Sequence, residues 1–340
     1  MTTDRQQTLT IDIGVNGAFL TRRWEDPDNW MRLTKEAGYD YHSFCADVLD
    51  PFFSGDRSYQ IETAQAVRQA AAKHGVTVVD YYTGVATHRF HGLSHSDERV
   101  RKRMFEWCVD AFEIAHEMGS EIWGGHVDAF SVEVLDDEKK SEEAWNRIVT
   151  EFRALSVEAK KRGLSAIYSE QMYIPSEKPW TLSEMERFLL DCNEGNKDGV
   201  PVRVAVDVGH VAGAHYGLAG EDLDYKVWLR RFAPQAKIIH IQQTTPESSH
   251  HWPFTISYNE RGYIDIDTVL EEIVDAHEEY HSSKIARVLP PENKIILVAE
   301  IIPGSTCTEA KLLDELHMTS EYLRHYIPKG GLTVTVGESS

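Results

Sequence analysis

Four side chains of types that bind metal ions occupy equivalent places in the sequence. Glu170, Asp207, His240 and Glu300 each stand at or just after the end of a short apolar run whose residues favour β-strands. Ionised carboxylates and imidazoles are rarely buried at such positions unless they are paired or bind a metal ion. Because the carboxyl ends of parallel strands meet on one face of a barrel, the four positions predict parallel strands that converge on one ion.

Three carboxylates and one imidazole suit a hard or borderline divalent cation, so Mn²⁺, Mg²⁺ or Co²⁺ is favoured. Zn²⁺ stays open, although it more often binds additional His or Cys ligands. Such an ion would chelate a carbonyl and the adjacent hydroxyl, acidify the C–H bond between them and stabilise the resulting enediolate. Glu170 and Glu300 are then the candidate catalytic acid and base. Proton return to the same carbon from the opposite side gives epimerisation, and return to the neighbouring carbon gives aldose–ketose isomerisation.

Strand-like runs alternate with amphipathic helical segments from one end of the chain to the other. The predicted strands are Leu9–Val15, Tyr39–Cys45, Val76–Tyr82, Glu121–His126, Ser165–Glu170, Arg203–Asp207, Lys237–Ile241 and Ile295–Ile301. The predicted helices lie near residues 27–37, 59–74, 97–118, 138–162, 183–193, 221–232, 266–280 and 307–325. Eight such units in order predict an α/β fold, a single (β/α)8 TIM barrel with elongated loops at its C-terminal face.

A doubly wound open sheet is the alternative fold. The turn Gly14–Gly17 after the first strand lacks the glycine spacing of a dinucleotide-binding fingerprint, which disfavours that alternative. No linker or change of composition divides the chain. We therefore predict one domain over residues 1–340, with the barrel at about residues 9–325 and a C-terminal tail.

The composition excludes several classes of partner. The chain has 340 residues and a formal net charge of −20, which argues against nucleic acid because binding to phosphates rests on Lys and Arg. Residues 1–9 are polar, and no apolar run is long enough to span a bilayer. The four cysteines form no metal-binding or redox motif. We expect a cytoplasmic protein with a small-molecule substrate and no membrane partner, and a homo-oligomer is left open.

The order of the chemical residues resembles that of the xylose-isomerase-like TIM-barrel sugar isomerases and epimerases. The elements that carry the resemblance are Glu170, Asp207-Val208-Gly209-His210, His240 and Glu300, on consecutive predicted strands. The resemblance implies that Glu170 and Glu300 are metal-binding catalytic groups and that Asp207 and His240 complete the metal ligands. It also implies that His210 contacts a substrate oxygen.

Three further stretches are similar to the erythrulose-phosphate 3-epimerase branch of that family: residues 14–23, 81–92 and 170–177. This similarity implies the epimerisation of a short ketose phosphate. One feature departs from the pattern. Ketose 3-epimerases that act on free sugars carry an arginine shortly after the histidine of strand seven, whereas this chain reads Gln242-Gln243-Thr244-Thr245-Pro246. We therefore expect a different contact with the substrate at that place.

Other polar residues are candidate substrate contacts. His126 ends the fourth strand after two glycines that allow close approach of a ligand, and its alternative is a packed core histidine. His88 and Arg89 lie on the loop after the third strand, where a guanidinium could hold a phosphate; an ordinary surface loop is the alternative. Glu177 belongs to the third similar stretch. Residues 248–254 could form a lid, a packed aromatic corner or an oligomer contact.

The sequence therefore predicts a divalent-metal-dependent epimerase of a short ketose phosphate that works by proton transfer between two glutamates. An aldose–ketose isomerase of a related sugar and a metal-dependent polyol dehydratase also fit the ligand set. A phosphodiesterase related to endonuclease IV would need more histidines and a basic face. A sugar-binding module without activity is the alternative outside enzymes, but it has no use for two carboxylates beside a metal ion.

Overall fold

The computed structural model of the protein describes residues 7–84 and 87–337. Val85 and Ala86 of the 81–92 stretch lie outside the described residues, as do residues 1–6 and 338–340. The strands are β1 (Gln7–Asn16), β2 (Tyr41–Cys45), β3 (Thr77–Tyr82), β4 (Ile122–Gly125), β5 (Ala166–Glu170), β6 (Val202–Asp207), β7 (Ile238–Ile241), β8 (Gln243–Thr245), β9 (Ser248–Trp252), β10 (Lys294–Ala299) and β11 (Leu332–Val336). The helices are α1 (Pro27–Glu36), α2 (Arg57–His74), α3 (Glu98–Met118), α4 (Val132–Leu135), α5 (Glu138–Lys161), α6 (Leu182–Asn193), α7 (Tyr225–Phe232), α8 (Ile256–Asn259), α9 (Ile266–Glu278) and α10 (Glu309–Arg324).

Eight parallel strands form a closed barrel in the order β1-β2-β3-β4-β5-β6-β7-β10. The closure is the pairing of β1 with β10, which runs in parallel from Thr10↔Lys294 to Val15↔Ala299. The eight predicted strands are all present, with bounds that differ by a few residues. The structure thus confirms the TIM barrel and rules out the open sheet, because an open sheet leaves its first and last strands unpaired with each other.

The two faces of the barrel strands bury separate cores, because successive side chains of a strand point to opposite faces. A small cluster fills the barrel interior: Val79, Ile122, Ala166, Tyr168, Ala205, Ile238, Ile296 and Val298. A larger cluster lies between the strands and the surrounding helices. Burial on both faces explains why the strands read as nearly continuous apolar runs. This interior also holds a polar contact, because the buried Asp80 of β3 accepts a hydrogen bond from the Tyr168 hydroxyl.

Short connections return most helices to the next strand, and the connection of residues 279–293 between α9 and β10 is a long exception. Helix α2 begins after Asp56, whose side chain accepts a hydrogen bond from the backbone N–H of Tyr59, and it ends at Gly75, where φ is 66°. Such a left-handed C-terminal residue favours glycine, and it turns the chain directly into β3. The connections on the opposite face are longer, for example residues 208–224 after β6 and 242–265 after β7. Most of the long loops therefore lie on the face where the strands end.

Two strand pairings were not predicted. The loop after β7 contains the antiparallel hairpin β8–β9. The C-terminal tail contains β11, which pairs antiparallel with β1 from Gln7↔Val336 to Ile11↔Leu332. No helix in the described ranges is both long and apolar enough to cross a bilayer. That the whole chain forms a single domain stays a prediction.

Candidate active site

The barrel places the four predicted metal ligands at the ends of consecutive strands. Glu170 is the last residue of β5, Asp207 is the last of β6, His240 lies in β7 and Glu300 follows β10 directly. Each is at most 1% exposed. The strand ends thus hold three carboxylates and an imidazole inside the barrel mouth.

The side chains of this group approach one another closely. His240 Nδ1 lies 2.7 Å from Glu170 Oε1 and 3.6 Å from Glu300 Oε2. His210, in the loop after β6, places its Nε2 3.4 Å from Asp207 Oδ2. Potential ligand atoms of Glu170, Asp207, His210 and Glu300 all lie within 4.8 Å of one another. The structure thus groups the three predicted carboxylates with the imidazole of His210, and the predicted ligand His240 lies beside this group as the hydrogen-bond partner of Glu170.

Neighbouring strand ends supply hydrogen-bond donors to the carboxylates. The Tyr82 hydroxyl, at the end of β3, donates to Glu170 Oε2 over 2.8 Å. Asn16 Nδ2, at the end of β1, donates to Glu300 Oε1 over 3.1 Å. Gln242 Nε2 lies 3.1 Å from both carboxylate oxygens of Asp207. These donors fix the orientation of the carboxylates.

The charged groups of this buried cluster shift one another's pKa values. Burial raises the pKa of Asp207 to about 6. Burial would also raise the pKa of Glu170 and Glu300, but nearby imidazoles outweigh it and hold both pKa values below the usual range. For Glu170 the main imidazole is that of His240, and for Glu300 it is that of His240 together with that of His251. Burial disfavours charged His240, yet Glu300 and Glu170 raise its pKa to about 10. The negative charge of the glutamates is therefore stabilised by a positive imidazole.

The donor set fits a divalent cation. In the described part of the chain, the basic side chains within 4.0 Å of the carboxylates of Glu170, Asp207 and Glu300 are all histidines. No Lys or Arg of that part lies so near. Glu300 Oε2 and His240 Nε2 are buried and have no hydrogen-bond partner among the described residues. Buried polar atoms without partners are rare in folded proteins and point to a bound ion or water. Carboxylates and imidazoles together suit a divalent metal ion.

A second group of predicted residues lies on the loops after β3, β4 and β5. His88 Nδ1, on the loop after β3, lies 2.8 Å from Glu177 Oε1, on the loop after β5. This contact joins the two loops. Burial lowers the pKa of His126 to about 4, while the charges of Glu177 and Glu170 act against that shift. His126 Nε2 contacts the backbone oxygen of Asp128 at 2.7 Å. Arg89 is exposed on the loop after β3.

Sequence reasoning missed several polar residues of the site. Asn16, Tyr82 and Gln242 carry the signal that identified the ligands, a polar residue at or just after a strand end. His251 carries no such signal, because it reaches the site from the β8–β9 hairpin, with Nδ1 3.3 Å from Glu300 Oε2. The sequence marks only its segment, residues 248–254, as a candidate lid, packed aromatic corner or oligomer contact.

Known proteins share this architecture. The family described as "Xylose isomerase-like TIM barrel" matches residues 31–300. The chain is 24% identical to D-erythrulose 1-phosphate 3-epimerase of Brucella abortus over 271 residues, which cover 78% of this chain and 84% of the relative.

Two solved structures show the same fold. A putative xylose isomerase from Rhodospirillum rubrum superposes with a TM-score of 0.79 at 22% identity, covering 93% of this chain and 99% of that one. D-psicose 3-epimerase from Clostridium cellulolyticum H10 gives 0.63 at 16% identity, covering 92% and 98%. With the family match over residues 31–300, these findings show that the chain belongs to the xylose isomerase-like TIM barrel family and is an enzyme of the sugar isomerase and epimerase class.

Proposed function

We propose that the protein is a divalent-metal-dependent 3-epimerase of a short ketose phosphate such as D-erythrulose 1-phosphate. The observation that carries the proposal is the pair of buried glutamates, Glu170 and Glu300, that share contacts with one imidazole, that of His240. The relative from Brucella abortus, with its 24% identity, supports the class of substrate.

The reaction needs a proton to leave one carbon and to return from the other side. When bound, a divalent cation polarises the carbonyl of the sugar and stabilises the negative charge that develops as the proton leaves. Glu170, Asp207 and Glu300 would hold this cation together with an imidazole, that of His240 or His210. We favour Mn²⁺, Mg²⁺ or Co²⁺ for this oxygen-rich donor set.

The two glutamates perform the proton transfer in this proposal. One carboxylate accepts the proton from C3 and the other delivers a proton to the opposite side, so that the configuration at C3 inverts. In the reverse direction the roles exchange. The hydrogen bonds from Tyr82 to Glu170 Oε2 and from Asn16 to Glu300 Oε1 hold one oxygen of each carboxylate. Glu170 Oε1 is hydrogen-bonded to His240 Nδ1, whereas Glu300 Oε2 is left for the cation or the substrate.

The remaining predicted residues would bind the rest of the sugar phosphate. His210, His126 and the His88–Glu177 pair offer imidazole nitrogens and a carboxylate to the hydroxyl groups. Arg89 offers an exposed guanidinium on the same loop as His88, which suits the phosphate because a guanidinium forms paired hydrogen bonds with its oxygens.

The test is proton exchange with the solvent. D-Erythrulose 1-phosphate is incubated with the Mn²⁺-loaded protein in D₂O, and NMR follows both the product and deuterium at each carbon. We expect the C3 epimer with deuterium at C3. Glu170→Gln and Glu300→Gln should each lower kcat by about 10²–10⁴-fold, the range that general acid–base groups contribute. Glu309→Gln, an exposed glutamate paired with Arg23, is the matched control and should keep wild-type turnover.

Other products would decide between the alternatives. D-Erythrulose 1-phosphate cannot give an aldose, because its C1 oxygen carries the phosphate ester, so the isomerase is tested with a ketose phosphate whose C1 hydroxyl is free. From that substrate, an aldose phosphate with deuterium at C2 would identify an aldose–ketose isomerase and contradict the epimerase. Loss of water from a cyclic polyol would identify the dehydratase. A wild-type protein that binds Mn²⁺ but neither converts nor exchanges any of a panel of tetrulose, pentulose and hexulose phosphates would remove the proposed reaction.

A further inference from the structure

We infer that His251 binds a substrate oxygen beside Glu300 and that Gln242 is the positioning residue that holds His251 there. This inference rests on the proposed function, because the oxygen belongs to the sugar phosphate. It adds to the site a side chain from outside the barrel strands, and it assigns a role to the hairpin β8–β9.

The hairpin presents His251 in an unusual backbone conformation. His251 has a φ of 52° and is one of two non-glycine residues with positive φ in the described ranges. Left-handed backbone at a residue with a side chain is strained and persists where the surrounding structure holds it, often at functional sites. Its neighbours His250 and Trp252 stack on each other with ring centroids 3.9 Å apart, so the hairpin separates these two rings from the His251 ring.

Gln242 connects this backbone to the carboxylate cluster. Its side chain is fully buried. Nε2 donates to Asp207, while Oε1 accepts from the backbone N–H of His251 over 2.6 Å and from Ser249 Oγ over 3.1 Å. The Gln242 amide thus donates a hydrogen bond to Asp207 and accepts one from His251. These two bonds fix the position of His251 relative to Asp207 at the end of β6.

The His251 ring faces the part of the cluster that has unused hydrogen-bonding atoms. His251 Nδ1 and Glu300 Oε2 lie 3.3 Å apart, and among the residues described neither atom has a hydrogen-bond partner of acceptable geometry. The His251 side chain is 19% exposed whereas that of Glu300 is 2% exposed, so the imidazole lies on the open side of the carboxylate. The ring of His210 is also near, with a centroid distance of 5.9 Å.

A sugar hydroxyl can satisfy both unpartnered atoms at once. A hydroxyl group donates one hydrogen bond and accepts others, so it can donate to Glu300 Oε2 and accept from an imidazole N–H. A buried donor and a buried acceptor that have no hydrogen-bond partner destabilise the protein. The site therefore favours a ligand whose hydroxyl forms hydrogen bonds with both atoms. We therefore assign to His251 the recognition of a hydroxyl next to the reacting carbon.

The experiment compares His251→Ala with the matched control His250→Ala, which changes the adjacent histidine on the outer stack of the hairpin. Two measurements do not depend on turnover. Mn²⁺ affinity is measured by electron paramagnetic resonance, and affinity for a tetritol phosphate, which carries hydroxyls but no carbonyl, is measured by calorimetry on the Mn²⁺-loaded protein. The kcat and KM for D-erythrulose 1-phosphate are measured in parallel.

We expect His251→Ala to weaken tetritol phosphate binding and to raise KM by about 10–100-fold, the effect of losing one hydrogen bond in a buried polar site. Mn²⁺ affinity should stay within a few-fold of wild type, and His250→Ala should match wild type throughout. In a Gln242→Leu background the effect of His251→Ala on tetritol phosphate binding should shrink, because His251 is no longer held in place. If His251→Ala does not fold, His251→Asn replaces it in the same measurements.

Two results would overturn the inference. Tetritol phosphate affinity and KM equal to those of His250→Ala would show that His251 does not contact the sugar, while normal turnover by the wild type would leave the proposed function intact. A loss of Mn²⁺ affinity of tenfold or more would show that His251 is a metal ligand instead. If the wild type does not exchange C3 deuterium, the proposed function fails, and the tetritol phosphate measurement still decides whether His251 binds a polyol phosphate.

Discussion

The barrel contains buried carboxylates whose hydrogen-bond partners differ in charge. Glu170 and Glu300 are paired with imidazoles, which keep them ionised, whereas Asp80 lies deeper inside the barrel and is hydrogen-bonded to the neutral hydroxyl of Tyr168. Burial raises the pKa of Asp80 to about 6. The difference follows from the partners, because a positive imidazole stabilises the ionised form much more than a phenol does.

The hydrogen bond from Tyr82 to Glu170 should matter for turnover. Tyr82→Phe removes the donor to Glu170 Oε2, so the carboxylate is held by His240 at Oε1 but no longer by Tyr82 at Oε2. The kcat/KM should fall about 10-fold or more, since a hydrogen bond to a charged group contributes about 1.5–3 kcal/mol. Tyr81→Phe is the control, because the Tyr81 hydroxyl donates to the backbone of Leu49 and not to the site. Steady-state kinetics on both variants checks the prediction, and equal kcat/KM values would contradict it.

Asp80 should make the stability depend on pH. The folded state keeps its proton up to about pH 6, whereas the unfolded state releases it near pH 3.8. The cost of burying the carboxylate is therefore absent below pH 3.8, grows through the window up to pH 6 and is constant above it. Asp80→Asn removes this cost, and its free energy of unfolding relative to wild type should rise by about 1 kcal/mol between pH 5 and pH 7.5.

Urea unfolding in the presence of EDTA at the two pH values measures this difference. The exposed Asp136→Asn is the control and should show no such rise. A difference between wild type and Asp80→Asn that stays constant with pH would mean that Asp80 does not keep its proton in the folded state.

At the scale of secondary-structure elements, the sequence predicts those site residues whose positions are determined by the barrel strands. Glu170, Asp207 and Glu300 could be found because each ends an apolar run, and a closed parallel barrel brings all strand ends to one face. The position of His251 depends on the hairpin β8–β9, whose residues Gln243–Thr245 and Ser248–Trp252 are mostly polar and lack the apolar alternation of a half-buried strand. Loop conformations of this kind are not encoded in a local pattern.

Strand β11 shows a different reason for a missed element. Leu332–Val336 alternates apolar and polar residues after Gly330 and Gly331, so the pattern of a strand is present. Its partner β1 lies at the other end of the chain, and a local pattern cannot reveal a pairing between such distant segments. The β11 strand covers the first half of β1, Gln7–Ile11, whereas β2 pairs only with Gly14–Asn16.

Removal of β11 should therefore reduce stability without changing the chemistry. Truncation after Gly331 exposes the unpaired backbone groups of Gln7–Ile11 and the apolar residues beneath Val336, so the Tm should fall by several degrees. The kcat well below the Tm should stay the same, because the active site lies at the opposite end of the strands. Removal of residues 338–340 alone is the control, and differential scanning calorimetry with kinetics at 20 °C gives both readouts.

At the scale of the whole molecule, a bound cation should stabilise the fold. The three carboxylates of the site come from β5, β6 and the end of β10, and their mutual repulsion in a buried place opposes folding. A ligand that binds only the folded state contributes about 2.7 kcal/mol at 100 times its Kd. Adding Mn²⁺ to EDTA-treated protein should raise the Tm by several degrees.

Thermal unfolding with graded Mn²⁺ concentrations measures this effect. In Glu300→Gln the increase should largely disappear, because one ligand charge is lost, whereas Glu309→Gln should respond like wild type. An unchanged Tm for the wild type at millimolar Mn²⁺ would contradict a metal site in the barrel mouth.

The pairing of β1 with β11 also bears on how the chain could be rearranged. Gln7 and Val336 are direct partners in an antiparallel ladder, so their Cα atoms are about 5 Å apart. A linker of a few residues could join the two ends, and new ends could be opened at Gly163, in the short turn between α5 and β5 on the face opposite the site. Such a circular permutant would keep every strand end in place, and it would let a fluorescent reporter be attached far from the bound sugar.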